Sequence, residues 1–170
     1  ALAPPTACPV EANQVDANFG YAVATAGDVN GDGYSDVIVG APYYDNGEYN
    51  EGRAYVYLGS ALGLSATASW TAESNQADAQ FGISVASAGD VNGDGYDDFL
   101  ISGWKCGENY QGKAYLFLGR PDIEAWGRYY PVEQADASFL GENEWDLLSY
   151  YVATAGDVNG DGYSDVIAGA

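Results

Sequence analysis

Short apolar runs alternate with glycine-rich and polar links along the whole chain. The run Val37-Ile38-Val39 is continuous and β-branched, which is typical of a strand covered on both faces. The segment 54–58 is rich in Tyr, Val and Leu, which favour half-buried strands. No stretch of about ten or more residues combines a helical period with capping residues. The pattern therefore predicts an all-β fold built of short strands.

The strand pattern recurs around a nine-residue segment that appears three times. DVNGDGYSD occupies 28–36, DVNGDGYDD occupies 90–98, and DVNGDGYSD returns at 157–165. Similar segments flank the first two copies: NFGYAVATAG (18–27) and QFGISVASAG (80–89) upstream, and GRAYVYLG (52–59) and GKAYLFLG (112–119) downstream. Four short strands at a period of about 60 residues are typical of β-propeller blades.

Each blade is predicted to be a four-stranded antiparallel meander, with strands A to D and the Asp-rich loop between A and B. The whole chain, 1–170, is then one propeller segment. It comprises a strand D at 7–12, blades at 13–73 and 74–133, and a partial blade at 134–170. A closed propeller needs about four to eight blades. We therefore expect a partial or open propeller. Either the remainder of a longer chain completes it, or this chain is a subunit that self-assembles.

The repeated segment has the composition of a calcium loop. Oxygen-bearing side chains stand at its first, third, fifth and ninth positions, a Tyr carbonyl is available at the seventh, and glycines permit a sharp turn. Calcium prefers such flexible oxygen cages, whereas soft metals need the Cys or His that these loops lack. We predict about three Ca²⁺ per chain. The predicted ligands are Asp28, Asn30, Asp32, Tyr34, Asp36, Asp90, Asn92, Asp94, Tyr96, Asp98, Asp157, Asn159, Asp161, Tyr163 and Asp165.

Two other interpretations of these loops are weaker. An EF-hand has helical flanks and a Glu at position 12, where this chain has Val39, Ile101 and Ala168. Asn-Gly and Asp-Gly are also common hairpin turns, but the same four oxygen side chains recur in all three copies. Three carboxylates in one loop also repel one another without a cation. We expect the calcium to be structural, and because no nucleophile–base pair is recognisable, we do not predict an enzyme.

The combination of FG, DxNxDGxxD and GAP resembles the FG-GAP repeat of integrin alpha-subunit propellers. Phe19-Gly20, Phe81-Gly82 and Gly40-Ala41-Pro42 match its motifs. The second GAP is replaced by Ser-Gly-Trp at 102–104, and the third FG is displaced. The resemblance implies a calcium-bound propeller, usually extracellular, in which calcium braces the hairpin of each blade.

Aromatic residues concentrate in the loops that face away from the calcium loops. In an antiparallel meander the B–C and D–A loops share one face and the A–B and C–D loops share the other. Tyr and Trp in loops are suited to partner contact. Phe139 lies 18 residues before Asp157, twice the spacing of the other repeats, which predicts an insertion at 140–148 on this face. The predicted ligand face comprises Tyr43, Tyr44, Tyr49, Trp104, Tyr110 and Trp145.

The composition excludes several classes of function. Lys and Arg total 5 against 25 Asp and Glu, a net charge of −20, so no nucleic-acid partner is predicted. The absence of His removes Ser-His and Cys-His catalysis and most zinc sites. No apolar run reaches the roughly 18 residues of a membrane helix, so no membrane insertion is predicted. Calcium modules of this type need the high calcium found outside cells, which predicts an extracellular or cell-surface location. A disulfide between Cys8 and Cys106 is one alternative, a pairing with missing sequence or another subunit is a second, and the sequence does not decide whether the two are bridged.

The sequence thus predicts an extracellular calcium-binding propeller segment that mediates adhesion or protein recognition. Its partner is a protein or a glycan. One alternative is a carbohydrate-binding propeller, favoured by the Tyr and Trp of the ligand face. Another is a structural subunit of an extracellular filament, because the open edges of an arc favour assembly. A third is a non-catalytic domain of a secreted enzyme.

Overall fold

The computed structural model describes residues 11–123 and 130–170. These residues contain short β-strands joined by loops, with a 3-10 turn at Val132–Gln134. The strands are β1 (Ala22–Gly27), β2 (Asp36–Ala41), β3 (Arg53–Tyr57), β4 (Trp70–Glu73), β5 (Phe81–Gly89), β6 (Asp98–Gly103), β7 (Lys113–Phe117), β8 (Tyr130–Pro131), β9 (Ala137–Leu140), β10 (Val152–Gly156) and β11 (Asp165–Ala168).

The strands form two antiparallel meanders followed by a hairpin. The first sheet has the order β1-β2-β3-β4, the second has the order β5-β6-β7-β9, and β10 pairs with β11. The two-residue β8 adds to β4 in parallel at the edge of the first sheet. Strand β5, the first strand of the second sheet, packs against both β1 and β10, and it is the most buried of these three strands. This arrangement of four-stranded blades that do not close confirms the prediction of an all-β, open propeller.

Aromatic side chains fill the space between the first two blades. Trp70 packs edge-on against Phe99 and Phe117, at ring-centroid distances of 5.3 Å and 5.0 Å, and all three rings are fully buried. Strand β2 lies between two such layers, because Ile38 faces this cluster and Val39 faces a second cluster around Tyr55. The continuous apolar run at 37–39 is therefore covered on both faces, as predicted.

The fourth strand of the second blade lies later than the sequence indicated. Leu116 pairs with Ala137 in this blade, whereas Val56 pairs with Trp70 in the first. The two separations are 21 and 14 residues, so the extra residues lie in the β7–β9 link. Strand β9 begins beyond residue 133, where the sequence analysis ended this blade. The segment QADASF (134–139) resembles QADAQF (76–81), which leads from β4 into β5. Residues 137–139 of QADASF, however, lie in β9.

The predicted insertion at 140–148 is wrong for the same reason. Leu140 occupies the register position of Glu73. Leu148 follows Leu140 at position +8, just as Phe81 follows Glu73 at position +8. The N–H of Leu148 donates to the Gln111 carbonyl (2.9 Å), as the Phe81 N–H donates to the Glu51 carbonyl (3.1 Å). Ser149 has the positive φ of Gly82, 70° against 86°. Leu148-Ser149 therefore takes the place of the third FG, at the usual spacing from the Asp loop.

Two expectations for the start of the chain concern residues outside the described part. Most of the predicted strand D at 7–12 lies there, and residues 11 and 12 are not in a strand. Cys8, one of the two cysteines, also lies outside. Cys106 is buried and carries a free thiol.

A charged network is buried at the end of the first B–C loop. Glu51 and Glu73 are both fully buried, and Arg53 forms an ion pair with Glu73. Asn46 donates its backbone N–H to Glu51 and its side-chain amide to Glu73. The second carboxylate oxygen of Glu51 has no hydrogen-bond partner. Burial raises the pKa of Glu51, although the N–H groups of the loop and Arg53 lower it. A buried carboxylate that is incompletely paired destabilises a fold.

We predict that Glu51→Gln raises the melting temperature by a few degrees near neutral pH. The amide keeps an acceptor for Asn46 and removes the charge, and the second blade has Gln111 at the equivalent place. Because the folded-state pKa is raised, the contribution of Glu51 to stability is present in acid and is lost as the pH rises through that pKa. The gain should therefore be larger at about pH 8 than at about pH 5. Glu108→Gln, an exposed Glu in the equivalent loop of the second blade, is the control. Thermal melts in which Glu51→Gln is the less stable protein at high pH would contradict this account.

Candidate functional site

The three Asp loops leave their hairpins in the same way. The strand register shifts just before each loop, between Thr25 and Gly27, Ser87 and Gly89, and Thr154 and Gly156. In each case the hydroxyl of the Thr or Ser accepts the N–H of the Gly two residues later, at 3.1–3.2 Å. The glycines have φ of +86°, +69° and +69°, which favours glycine. A repeated bulge thus gives all three loops the same starting direction.

The first Asp of each loop folds the loop around its own carboxylate. Asp28 Oδ1 accepts the N–H groups of Gly31 (2.8 Å) and Asp32 (3.0 Å), and Oδ2 accepts the N–H of Gly33 (2.8 Å). Asp90 and Asp157 make the same three contacts in their own loops. The backbone N–H groups that donate to the exposed Asp157 lower its pKa, and the N–H of Gly162 has the largest effect.

The third and fifth positions of each loop are also linked. Asn30 Nδ2 donates to Asp32 Oδ2 (3.0 Å), and Asp32 Oδ1 accepts the N–H of Tyr34 (2.9 Å). The second and third loops repeat both bonds, at 2.9 Å and 3.0 Å and at 2.9 Å and 2.9 Å. Asn92, Asp94, Asn159 and Asp161 are exposed, as is Asp32. The carboxylates at the fifth position therefore face solvent.

The ninth position of the first two loops is buried and braces two loops at once. Asp36 accepts the N–H of Val29 (2.9 Å) within its own loop and that of Gly59 (2.8 Å) after β3. Asp98 makes the equivalent bonds to Val91 and Gly119, both at 2.8 Å. Burial raises the pKa of both carboxyls, that of Asp98 to about 6, while the N–H donors lower it. The A–B and C–D loops thus share one face, as expected for a meander.

The loops have the donors of a calcium site but not a closed cage. Among residues 11–123 and 130–170, no three acidic, His or Cys side chains converge as a ready-made metal site. In the same residues the ion pairs are Arg53–Glu73 and Arg120–Asp136, so no loop carboxylate pairs with a cationic side chain. Each loop offers three carboxylates and one amide oxygen, which is chemistry that suits a hard cation. These oxygens are of the kind that calcium binds, and backbone N–H groups donate to those of the first and ninth positions.

The sequence analysis missed the glycines after the third strands. Gly59 and Gly119 each donate to a ninth-position carboxylate, and a Cβ on either would collide with backbone atoms. The signal was present, because Leu-Gly follows the third strand in both blades. The Glu51–Arg53–Glu73 network has no counterpart in the second blade, so no repeat indicated it.

The B–C and D–A loops lie together on the other face. The N–H of Asp78 donates to the Tyr49 carbonyl (2.7 Å), and that of Trp145 donates to the Asn109 carbonyl (3.1 Å). Two of the six predicted face residues are largely exposed, Tyr49 at 66% and Trp145 at 60%. Tyr110 stacks on Trp145 with ring centroids 4.6 Å apart. The structure thus joins the half-buried Tyr110 and the exposed Trp145 into one stacked aromatic pair.

The other predicted face residues have partners within the fold. The Arg53 guanidinium lies 3.9 Å from the centre of the Tyr44 ring. Trp104 donates its indole N–H to Gln80 Oε1 (2.8 Å), and its ring meets Tyr150 edge-on at 5.0 Å. Tyr43 meets Tyr21 edge-on at 6.5 Å. These three predicted residues are half-buried, as is Tyr110, so Tyr49 and Trp145 are the exposed members of the predicted set.

No helix in the described ranges has the length and apolar character needed to cross a membrane.

Comparison with known proteins gives both a family and relatives. Residues 19–57, 81–117 and 149–170 match the FG-GAP repeat model, and the third match begins at the Ser149 that takes the place of the FG glycine.

The curated relatives are integrin alpha subunits. The chain is 31% identical to integrin alpha-PS2 of Drosophila melanogaster, over 95% of this chain and 12% of the relative. It is 34% identical to integrin alpha pat-2 of Caenorhabditis briggsae, over 89% of this chain and 13% of the relative. It is 32% identical to human integrin alpha-IIb, over 92% of this chain and 15% of the relative. The chain thus spans about an eighth of the length of these relatives, and it belongs to the FG-GAP repeat family.

Proposed function

We propose that this chain is a calcium-stabilised propeller segment of an extracellular or cell-surface protein that mediates adhesion or protein recognition. The observation that carries the proposal is that one loop, with carboxylates at its first, fifth and ninth positions and an amide at its third, is built three times. Within the described ranges no carboxylate of these loops pairs with a cationic side chain. Similarity to integrin alpha subunits supports the adhesive role.

The calcium is proposed to brace each hairpin. The side chains at the first, third, fifth and ninth positions and the Tyr carbonyl at the seventh would hold it, as predicted from the sequence. When bound, calcium supplies the positive charge that the loops lack, and three ions would reduce the formal charge from −20 to −14. Each first-position Asp already organises its loop through backbone N–H groups. Less conformational entropy is then lost on binding, because a preorganised site orders fewer groups.

The recognition surface is proposed to be the face opposite the calcium loops, centred on Tyr49, Tyr110 and Trp145. Exposed aromatic rings bury a large area at a small cost in side-chain entropy, which suits protein recognition. The stacked pair Tyr110–Trp145 also favours a second candidate, a carbohydrate-binding surface, because sugar rings pack on exposed aromatic faces. The two candidates share a site and differ in the partner.

Calcium removal tests the first part of the proposal. Elemental analysis of the chain after dialysis against calcium should give about three ions per chain. The chelator EGTA should lower the melting temperature, because a ligand that binds only the native state stabilises it by about 2.7 kcal/mol per site at a hundred times its Kd. Fewer than two ions per chain, or a melt that EGTA leaves unchanged, would rule out the proposal.

A single-loop variant tests where the calcium is held. Asp94→Ala removes an exposed carboxylate from the second loop, so the chain should lose one ion and keep the other two. The melting temperature of the variant should lie further below that of the wild type in calcium than in EGTA, because in EGTA the variant lacks only the hydrogen bonds of Asp94 to Asn92 and Tyr96. Asp122→Ala, an exposed Asp outside the loops, is the control. Retention of all ions by Asp94→Ala would place calcium elsewhere.

The recognition face is tested by Trp145→Ala, measured on printed arrays of extracellular-matrix proteins and of glycans. The exposed indole contributes little to the core, so the melting temperature should change by no more than about 2 °C, while binding to the array falls about tenfold or more. Leu62→Ala, on the exposed β3–β4 loop of the calcium face, should leave binding unchanged. Binding on the glycan array alone would favour the second candidate, and equal losses for both variants would remove the proposed face.

A further inference from the structure

The first Asp loop is held by the second one through Asp97, the eighth residue of the second loop. Asp97 Oδ2 accepts the backbone N–H of Asp28 (2.8 Å), and the Asp97 N–H donates to the Asp28 carbonyl (3.1 Å). The Asp97 side chain also packs directly on Gly27, where a Cβ would collide with it. Both backbone groups of Asp28 are therefore fixed by one residue of the neighbouring blade.

A tyrosine adds a second link between the same loops. Tyr96 covers Gly31 of the first loop so closely that a Cβ there would lie 2.5 Å from its ring. Tyr163 of the third loop covers Gly93 of the second loop in the same way, also at 2.5 Å. Each of the first two loops thus rests against the loop of the blade that follows it.

The two contacts differ in one side chain. The third loop has Ser164 at the position of Asp97, and its N–H donates to the Asp90 carbonyl (3.0 Å) in the same manner. Its hydroxyl packs on Gly89 and carries no charge. The first loop therefore receives a carboxylate from its neighbour, whereas the second loop receives a neutral hydroxyl.

We infer that Asp97 is a positioning residue for the calcium site of the first loop, so that calcium affinity there depends on a side chain of the next repeat. This inference rests on the proposal that the loops hold calcium. The carboxylate of Asp28 can organise its loop only if its backbone is fixed, and Asp97 fixes that backbone from both sides. A charge-assisted hydrogen bond is stronger than a neutral one, and both rigidity and local negative charge raise calcium affinity. The first loop therefore binds calcium more tightly than the second.

Asp97→Ser tests this by giving the second loop the residue that the first and third loops have at this position, Ser35 and Ser164. Calcium affinity of the first loop should fall about threefold to tenfold, and that of the second should change less than twofold. Asp97→Asn keeps an acceptor for the Asp28 N–H and removes the charge, so its loss should be smaller. Ser164→Asp should raise the affinity of the second loop. Ser35→Asp adds the same charge to the first loop's own eighth position and is the control.

The two loops can be followed separately in the full chain by NMR titration with calcium chloride. The amide signals of Gly33 and Gly95, which donate to Asp28 and Asp90, report the first and second loops. A wild-type midpoint for Gly33 below that for Gly95, with Asp97→Ser raising only the Gly33 midpoint, is the expected result. A Gly33 midpoint unchanged by Asp97→Ser, with both loops binding calcium, overturns the inference and leaves the calcium proposal intact.

Two further outcomes also count against the inference. An equal loss at both loops would show a general loss of packing, and it overturns the positioning role. The absence of any calcium response at Gly33 and Gly95 overturns the proposed function and this inference together. If Asp97→Ser fails to fold, Ser164→Asp decides the question, because an unchanged Gly95 midpoint in that variant contradicts the link.

Discussion

Each repeat depends on a carboxylate that satisfies the backbone of a tight loop. The first Asp of the loop accepts three N–H groups, and the buried ninth-position Asp of the first two loops ties the hairpin to the loop after the third strand. The Val29 N–H is buried, and it would be costly to leave it unsatisfied. The same carboxylates repel one another, however, and in the described residues none pairs with a cationic side chain. Calcium resolves this conflict in the proposed function.

The blades add a second constraint, because neither sheet buries both of its faces alone. Trp70, Phe99 and Phe117 fill the space between the first two blades. Leu100 and Leu116 pack with Val152 between the second blade and the final hairpin. The Asp loops lie at one end of these interfaces, where Asp97 and Tyr96 reach from one blade to the loop of the next. Packing between blades and metal binding within loops are therefore connected through the same residues.

Much of this architecture could be predicted from the sequence, because a repeated segment fixes strand order and loop position together. The covered strand at 37–39, the Asp loops and the division into two faces all agree with the structure. The fourth strand of the second blade did not, because QADASF resembles a link but pairs with β7 as a strand. The contact between Asp97 and Asp28 spans 69 residues, and the first and third copies have Ser at this position, so nothing in the repeat indicated it.

The central claim, that the three loops hold calcium through their own oxygens, is tested most directly by crystals of the chain grown in calcium chloride. Anomalous diffraction would locate the ions. The account predicts one anomalous peak in each loop, about 2.3–2.6 Å from the side-chain oxygens of the first, third, fifth and ninth positions and from the Tyr carbonyl of the seventh. Loops that remain without anomalous peaks at millimolar calcium, with Asp28, Asp90 and Asp157 still bound only to backbone N–H groups, would contradict it.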